Sequence, residues 1–237
     1  MIRRSRIRPV ATLLMATGLV TVLVAAGSSQ AGASSTSAAT TASMSDFFPL
    51  TPQTVAFHDA MRKLWEDHVT WTRLAIVSAV GGTDGATLPD TDVTLARLQR
   101  NQDDIGAAIV PYYGQAAGDQ LAALLHEHIS GAVTLLLAAK AGDAAAVEEA
   151  KTAWYANGRQ IADFLSAANP KYWPQDTMRE QMQTHLDQTL QEAVDQIQHN
   201  VDKEAGDYDA AHEHILMMAD LLSAGIIQQF RGQFGAQ

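Results

Sequence analysis

Four histidines and two asparagines recur along this chain in the order His68, Asn101, His128, Asn157, His185 and His214, at gaps of 33, 27, 29, 28 and 29 residues. Neutral imidazole is a ligand for zinc, copper, nickel and iron, so four imidazoles at one level would be a set for a divalent transition metal. Asparagine brings a donor and an acceptor, which suits it to orienting a ring or holding a small polar ligand. Asp104, one turn from Asn101, adds an oxygen ligand or an acceptor for an imidazole N–H. The candidate metal ligands are therefore His68, His128, His185 and His214, and the candidate orienting residues are Asn101, Asp104 and Asn157.

The same residues have a purely structural reading. A polar layer across an apolar bundle is stable only if its groups find partners, and Asn101, Asn157, Thr72 and Thr189 are suited to satisfy the imidazoles. Buried polar residues can fix helix register without binding anything.

Other chemistry finds little support. His126-Glu127-His128 and His212-Glu213-His214 place histidines two apart, about 200° around a helix, so one ion does not take both and His126 and His212 read as flanking. The HExxH zinc-protease spacing is absent. No glutamate stands three residues before any histidine, which argues against the Glu-x-x-His pattern of di-iron bundles. Met217 and Met218 read as core filler rather than ligands. Asp103-Asp104 and Glu148-Glu149 are adjacent pairs, and adjacent helical residues diverge by ~100°, poor geometry for paired acid–base work. There is no phosphate loop and no nucleophile elbow. Trp65, Trp71, Trp154 and Trp173 read mostly as core or loop anchors. Arg73 reads either as an anion contact or as the partner of Asp103, Asp104 or Asp163. An enzyme would need a water-accessible cavity and an open metal position, and a non-enzyme is favoured.

The recurring interval is that of one helix plus one turn, and apolar residues keep helical spacing throughout. The fold expected is all-α, an antiparallel up-and-down bundle of about six helices. They are predicted at about 52–80, 90–110, 115–140, 143–168, 176–200 and 204–230. Thr51-Pro52 caps the first, Pro111 stops the second, and Ala141-Gly142-Asp143 makes a tight turn. His68 shares its stripe with Met61, Leu64, Trp65, Thr72 and Ile76, and each of the other three histidines lies in a similar stripe, so all four point inward. The helices pair as three hairpins with weak internal similarity. First members carry His68, His128 and His185; second members read Asn101…Ile105-Gly106, Asn157…Ile161-Ala162 and His214…Met218-Ala219.

The N-terminus reads as an export signal. Arg3, Arg4, Arg6 and Arg8 precede an apolar run from Val10 to about Ala26, and Ala31-Gly32-Ala33 is a cleavage site before Ser34. The run is also just long enough to serve as an uncleaved anchor. The expected organisation is a signal over 1–33, a flexible Ser/Thr/Ala-rich spacer over 34–46, and one helical domain over 47–237, with no further span. Cleavage removes four arginines and no acids, taking the formal net charge from −10 to −14, which argues against nucleic acid as a partner. The absence of cysteine rules out disulfides, thiolate metal sites and thioether-linked haem.

The strings Asp67-His68-Val69-Thr70-Trp71-Thr72-Arg73, Arg100-Asn101-Gln102-Asp103-Asp104-Ile105, Ala138-Ala139-Lys140-Ala141-Gly142-Asp143, Trp154-Tyr155-Ala156-Asn157, Met218-Ala219-Asp220 and Gly225-Ile226-Ile227-Gln228-Gln229-Phe230 resemble motifs of a family of poorly characterised exported bacterial helical proteins. The resemblance covers about 57–230. It implies one helical domain and attaches no activity.

Overall fold

The computed structural model describes residues 49–235, so the signal and spacer expected over 1–46 lie outside the described residues. Six helices follow in order: α1 Pro52–Val80, α2 Thr91–Tyr113, α3 Gln115–Ala141, α4 Ala144–Ala168, α5 Gln175–Gln198 and α6 Val201–Gln229, with a closing 3₁₀ turn Arg231–Phe234. Among the described residues there is no strand. The fold is an all-α bundle, as the periodicity predicts.

Local chemistry sets most of the ends. Thr51 caps α1 through a reciprocal capping box with Thr54, and Pro52 occupies the first turn, where its missing N–H costs nothing. The α3–α4 turn works because Gly142 adopts φ 70°, a left-handed conformation open to glycine without a Cβ penalty, and Asp143 then caps α4 by accepting from the Ala146 amide. Pro111 does not stop α2. The helix runs on to Tyr113 and ends at Gly114, φ 85°. A proline near the helix end loses one backbone bond. The two tyrosines beyond it offset that loss by packing, Tyr112 against Phe57 and Phe234 and Tyr113 against Phe230.

Each helix packs on its chain neighbours and α6 closes the ring on α1; across the ring α1 also touches α3 and α5. The odd-numbered helices thus meet in the middle, and each even-numbered helix bridges two of them: α2 bridges α1 and α3, α4 bridges α3 and α5, and α6 bridges α5 and α1. Each hairpin thus follows the same order round the ring, an odd-numbered helix and then the helix that bridges it to the next. The hairpins' matched positions are also buried alike: Ile105, Ile161 and Met218 are each 1% exposed.

One expectation needs correction. By length and composition α3 is apolar enough to cross a membrane. In the bundle it packs against α1, α2 and α4, and its middle carries His126, Glu127 and His128.

Candidate functional site

The bundle brings three of the four histidines together. His68 on α1, His128 on α3 and His185 on α5 are buried, with ring centroids 5.8 Å apart for His68–His185 and 6.0 Å for His128–His185. Trp154 stacks on His128 at 5.2 Å and Trp65 meets His68 edge-on at 5.5 Å.

The even-numbered helices contribute a repeated contact. Asn101 Nδ2 donates to the Leu64 carbonyl at 3.0 Å, Asn157 Nδ2 to Leu124 at 3.1 Å, and His214 Nε2 to Gln181 at 2.9 Å. Each acceptor stands four residues before the histidine of the inner helix. Such mid-helix carbonyls keep a second lone pair that can take an additional donor. Both asparagine and an Nε2-protonated histidine supply that donor, so His214 occupies the asparagine position of its hairpin. It is grouped with Asn101 and Asn157 rather than with the inner imidazoles, and its Nε2 is committed to backbone.

These bonds fix the tautomer of His128. Because Asn157 Nδ2 is used on Leu124, its Oδ1 faces His128 Nδ1 at 3.0 Å. His128 must then carry its proton on Nδ1, leaving the lone pair on Nε2. This is the arrangement in which a carbonyl orients a ligating imidazole. In the first hairpin Asn101 does not reach the ring. Gln102 Nε2 faces Leu98 O at 2.8 Å, Asn101 Oδ1 at 3.3 Å and His68 Nδ1 at 3.3 Å, three acceptors for two hydrogens. His185 Nδ1 has no partner.

Three further polar atoms beside the layer are buried without a partner: Trp65 Nε1, Thr72 Oγ1 and Gln102 Oε1. Trp65 and Thr72 flank His68 by one turn on either side, and Gln102 touches it. Buried polar groups are normally paired, so this concentration around one imidazole sets the region apart.

Burial and mutual repulsion keep the rings neutral. His68 is lowered to about 3, first by burial and then by His128, with Gln102 acting in the opposite sense. His128 is lowered to about 4 by burial, opposed by Asn157. His185 lies well below the ordinary histidine range through burial and then through His68, His128 and His214. Neutral imidazole is the ligating form, so protons compete weakly for these nitrogens. Two imidazoles bonded to one ion at ~2.0–2.1 Å place their centroids about 5–6 Å apart, and the observed separations fall at the upper end. Among the described residues, however, no three His, Cys, Asp or Glu side chains are arranged to hold an ion. The ring separations alone are those of a shared metal.

Asp104 is exposed and takes no part in the layer. Its neighbour Asp103 bonds His126 Nε2 at 2.6 Å, and His212 lies 3.5 Å from Glu66, so the outer members of both HEH pairs are occupied at the surface. Arg73 meets neither an open anion site nor the expected aspartates. It pairs with Glu192 at 2.9 Å and Glu204 at 2.8 Å, under Tyr208. Trp65, Trp154 and Trp173 are core anchors, whereas Trp71 is half-buried beneath Arg97.

Sequence reasoning missed a second polar cluster near the N-terminal end of α1. His58 Nε2 lies 2.9 Å from Asp220 Oδ1, and Arg62 grips the same carboxylate at 2.7 and 2.8 Å. The signal was present: His58, Met61, Trp65 and His68 fall at helical spacing on one face.

Family models, curated proteins and solved structures were compared with this chain, and none matches.

Proposed function

We propose that this protein is an exported, non-catalytic binding bundle whose core layer holds a transition-metal ion through His68, His128 and His185. Zinc, copper, nickel and iron are the metals that neutral imidazole suits. The observation that carries this reading is the partnerless His185 Nδ1, buried between two other imidazoles, with the lone-pair-bearing Gln102 Oε1 and Thr72 Oγ1 also unpaired beside them. Each buried unpaired polar group costs about 1–3 kcal/mol, and an ion in the layer would give the lone pairs among them a partner. Asn157 orients His128, Gln102 contacts His68, and Asn101 and His214 hold helix register.

The second reading is a structural or interaction domain in the cell envelope, in which the layer fixes packing alone. It is favoured by the three outer-to-inner backbone bonds, which need no guest.

Metal analysis of protein purified from its native compartment separates the two, followed by titration of the metal-free protein with zinc and with copper. Trp65 and Trp154 beside the rings report copper binding by fluorescence quenching. One equivalent is expected, lost in His185→Ala and kept in His214→Asn. If no stoichiometric metal is found and His68→Ala with His128→Ala changes only thermal stability, the packing reading replaces this one.

A further inference from the structure

A cavity of about 40 Å³ lies one helical turn below the histidine layer, on the side of the C-terminal ends of α1, α3 and α5. Its lining includes Thr72, Leu98, Ile129, Ala132, Trp154 and Thr189. Thr72 and Thr189 follow His68 and His185 by one turn, Ile129 is next to His128, and Trp154 stacks on that ring at 5.2 Å. The space therefore lies next to the layer, with Trp154 and the residues that follow the histidines, not the imidazoles themselves, forming its wall. A smaller one of about 20 Å³ lies on the other side, among residues such as Met61, Ile105 and Leu222.

The wall presents only apolar atoms. Thr189 turns its hydroxyl back to the His185 carbonyl at 2.9 Å, and the Thr72 hydroxyl is buried out of the cavity surface. One water needs about 10–15 Å³ and two to four polar partners. About 40 Å³ holds roughly three such spheres, but the wall offers none of the partners. Apolar cavities of this kind stay dry and take apolar guests. An ion or a polar metabolite would lose its hydration there without compensation.

We propose that this cavity is a binding site for a small uncharged apolar guest of diatomic size, such as dioxygen. On the metal reading above, the guest would sit one turn from the loaded layer; the cavity itself does not depend on that reading. Leu95, Ala132 and Val133 at its edge are half-buried, so entry requires side-chain movement and no opening of the backbone.

Xenon tests the site on metal-free protein, read by anomalous scattering from pressurised crystals or by methyl shifts in solution. One bound xenon is expected beside Ile129 and Trp154. It should be lost in Ala132→Leu, which fills the space from its half-buried edge, and kept in Thr189→Val, which preserves the volume. Leu98→Ala enlarges the space and should raise xenon affinity severalfold, so the test stands even if the filling variant fails to fold. No xenon there in the parent protein, or equal binding in all variants, overturns the proposal. Neither result bears on metal binding, which is measured separately.

Discussion

Replacing Asn157 with leucine tests whether the layer is held by specific hydrogen bonds or only by packing. Asn157 is buried; it donates to the Leu124 carbonyl at 3.1 Å and accepts from His128 Nδ1 at 3.0 Å. Leucine keeps the branching and heavy-atom count of asparagine but removes both bonds. The lost bond to Leu124 contributes about 1 kcal/mol, since that carbonyl keeps its helical partner. The His128 N–H is then buried without an acceptor, which costs about 1–3 kcal/mol more. The sum is about 3 kcal/mol, or a melting temperature lower by about 6–12 °C for a domain of this size. Denaturant unfolding of the single variants Asn157→Leu and His128→Phe and of the double variant measures the pair directly. Removing both partners leaves neither group orphaned, so the double variant should be less destabilised than the sum of the singles by about 1–3 kcal/mol. Additivity within about 0.5 kcal/mol, or a negligible loss in Asn157→Leu, would refute the assignment of this bond and of the His128 tautomer.

The buried imidazoles also predict acid lability. His68 at about 3, His128 at about 4 and His185, also lowered, stay neutral when folded, whereas unfolded histidines protonate near 6.5. Their contribution is complete above pH 6.5 and is lost as pH falls toward 3–4, at about 1.4 kcal/mol per pH unit for each proton. Glu192, raised to about 7 by burial despite Arg73, acts in the opposite sense between about 4.5 and 7 and offsets one of the three. Urea midpoints from pH 7 to 4 should therefore fall steeply, by about 3 kcal/mol per unit near pH 5–6; a flat profile would sink this. Arg73→Met strands Glu192 and Glu204, and about 3 kcal/mol should be lost at pH 7, with partial rescue by adding Glu192→Gln. If the rescue variant is no more stable than Arg73→Met alone, the ion pair is not what matters. Gly225 lies against the indole of Trp173, whose Nε1 donates to the Leu221 carbonyl at 3.2 Å. A Cβ there would overlap the buried ring, so Gly225→Ala should cost about 1–3 kcal/mol and shift the tryptophan emission; an unchanged spectrum and melting point would contradict it.

Periodicity was enough to read the six helices and the inward direction of His68, His128 and His185, because a 3.6-residue repeat fixes which side chains share a face. Where the structure departs from these expectations, tertiary contacts decide at Pro111 and Arg73 and helix rotation at Asp104. Pro111 is a stop by backbone rules, yet Tyr112 and Tyr113 carry α2 past it by packing. Asp104 sits one turn from Asn101, but the helix rotates it into solvent. Arg73 had aspartate candidates along the chain; its partners Glu192 and Glu204 are more than a hundred residues away and meet it only because α1, α5 and α6 converge.

By itself the sequence determined the class of fold and the depth of the six polar residues, both consequences of spacing along a helix. Only the tertiary structure decided roles within the layer. Spacing makes His214 a fourth inward imidazole. Packing gives it the same contact as Asn101 and Asn157, the residues it matches in the hairpin pairing, because α6 is a bridging helix and its donor meets the Gln181 carbonyl. The same packing leaves His185 Nδ1 without a partner. A residue's depth is a property of one helix, but the atoms it faces are set by its neighbours.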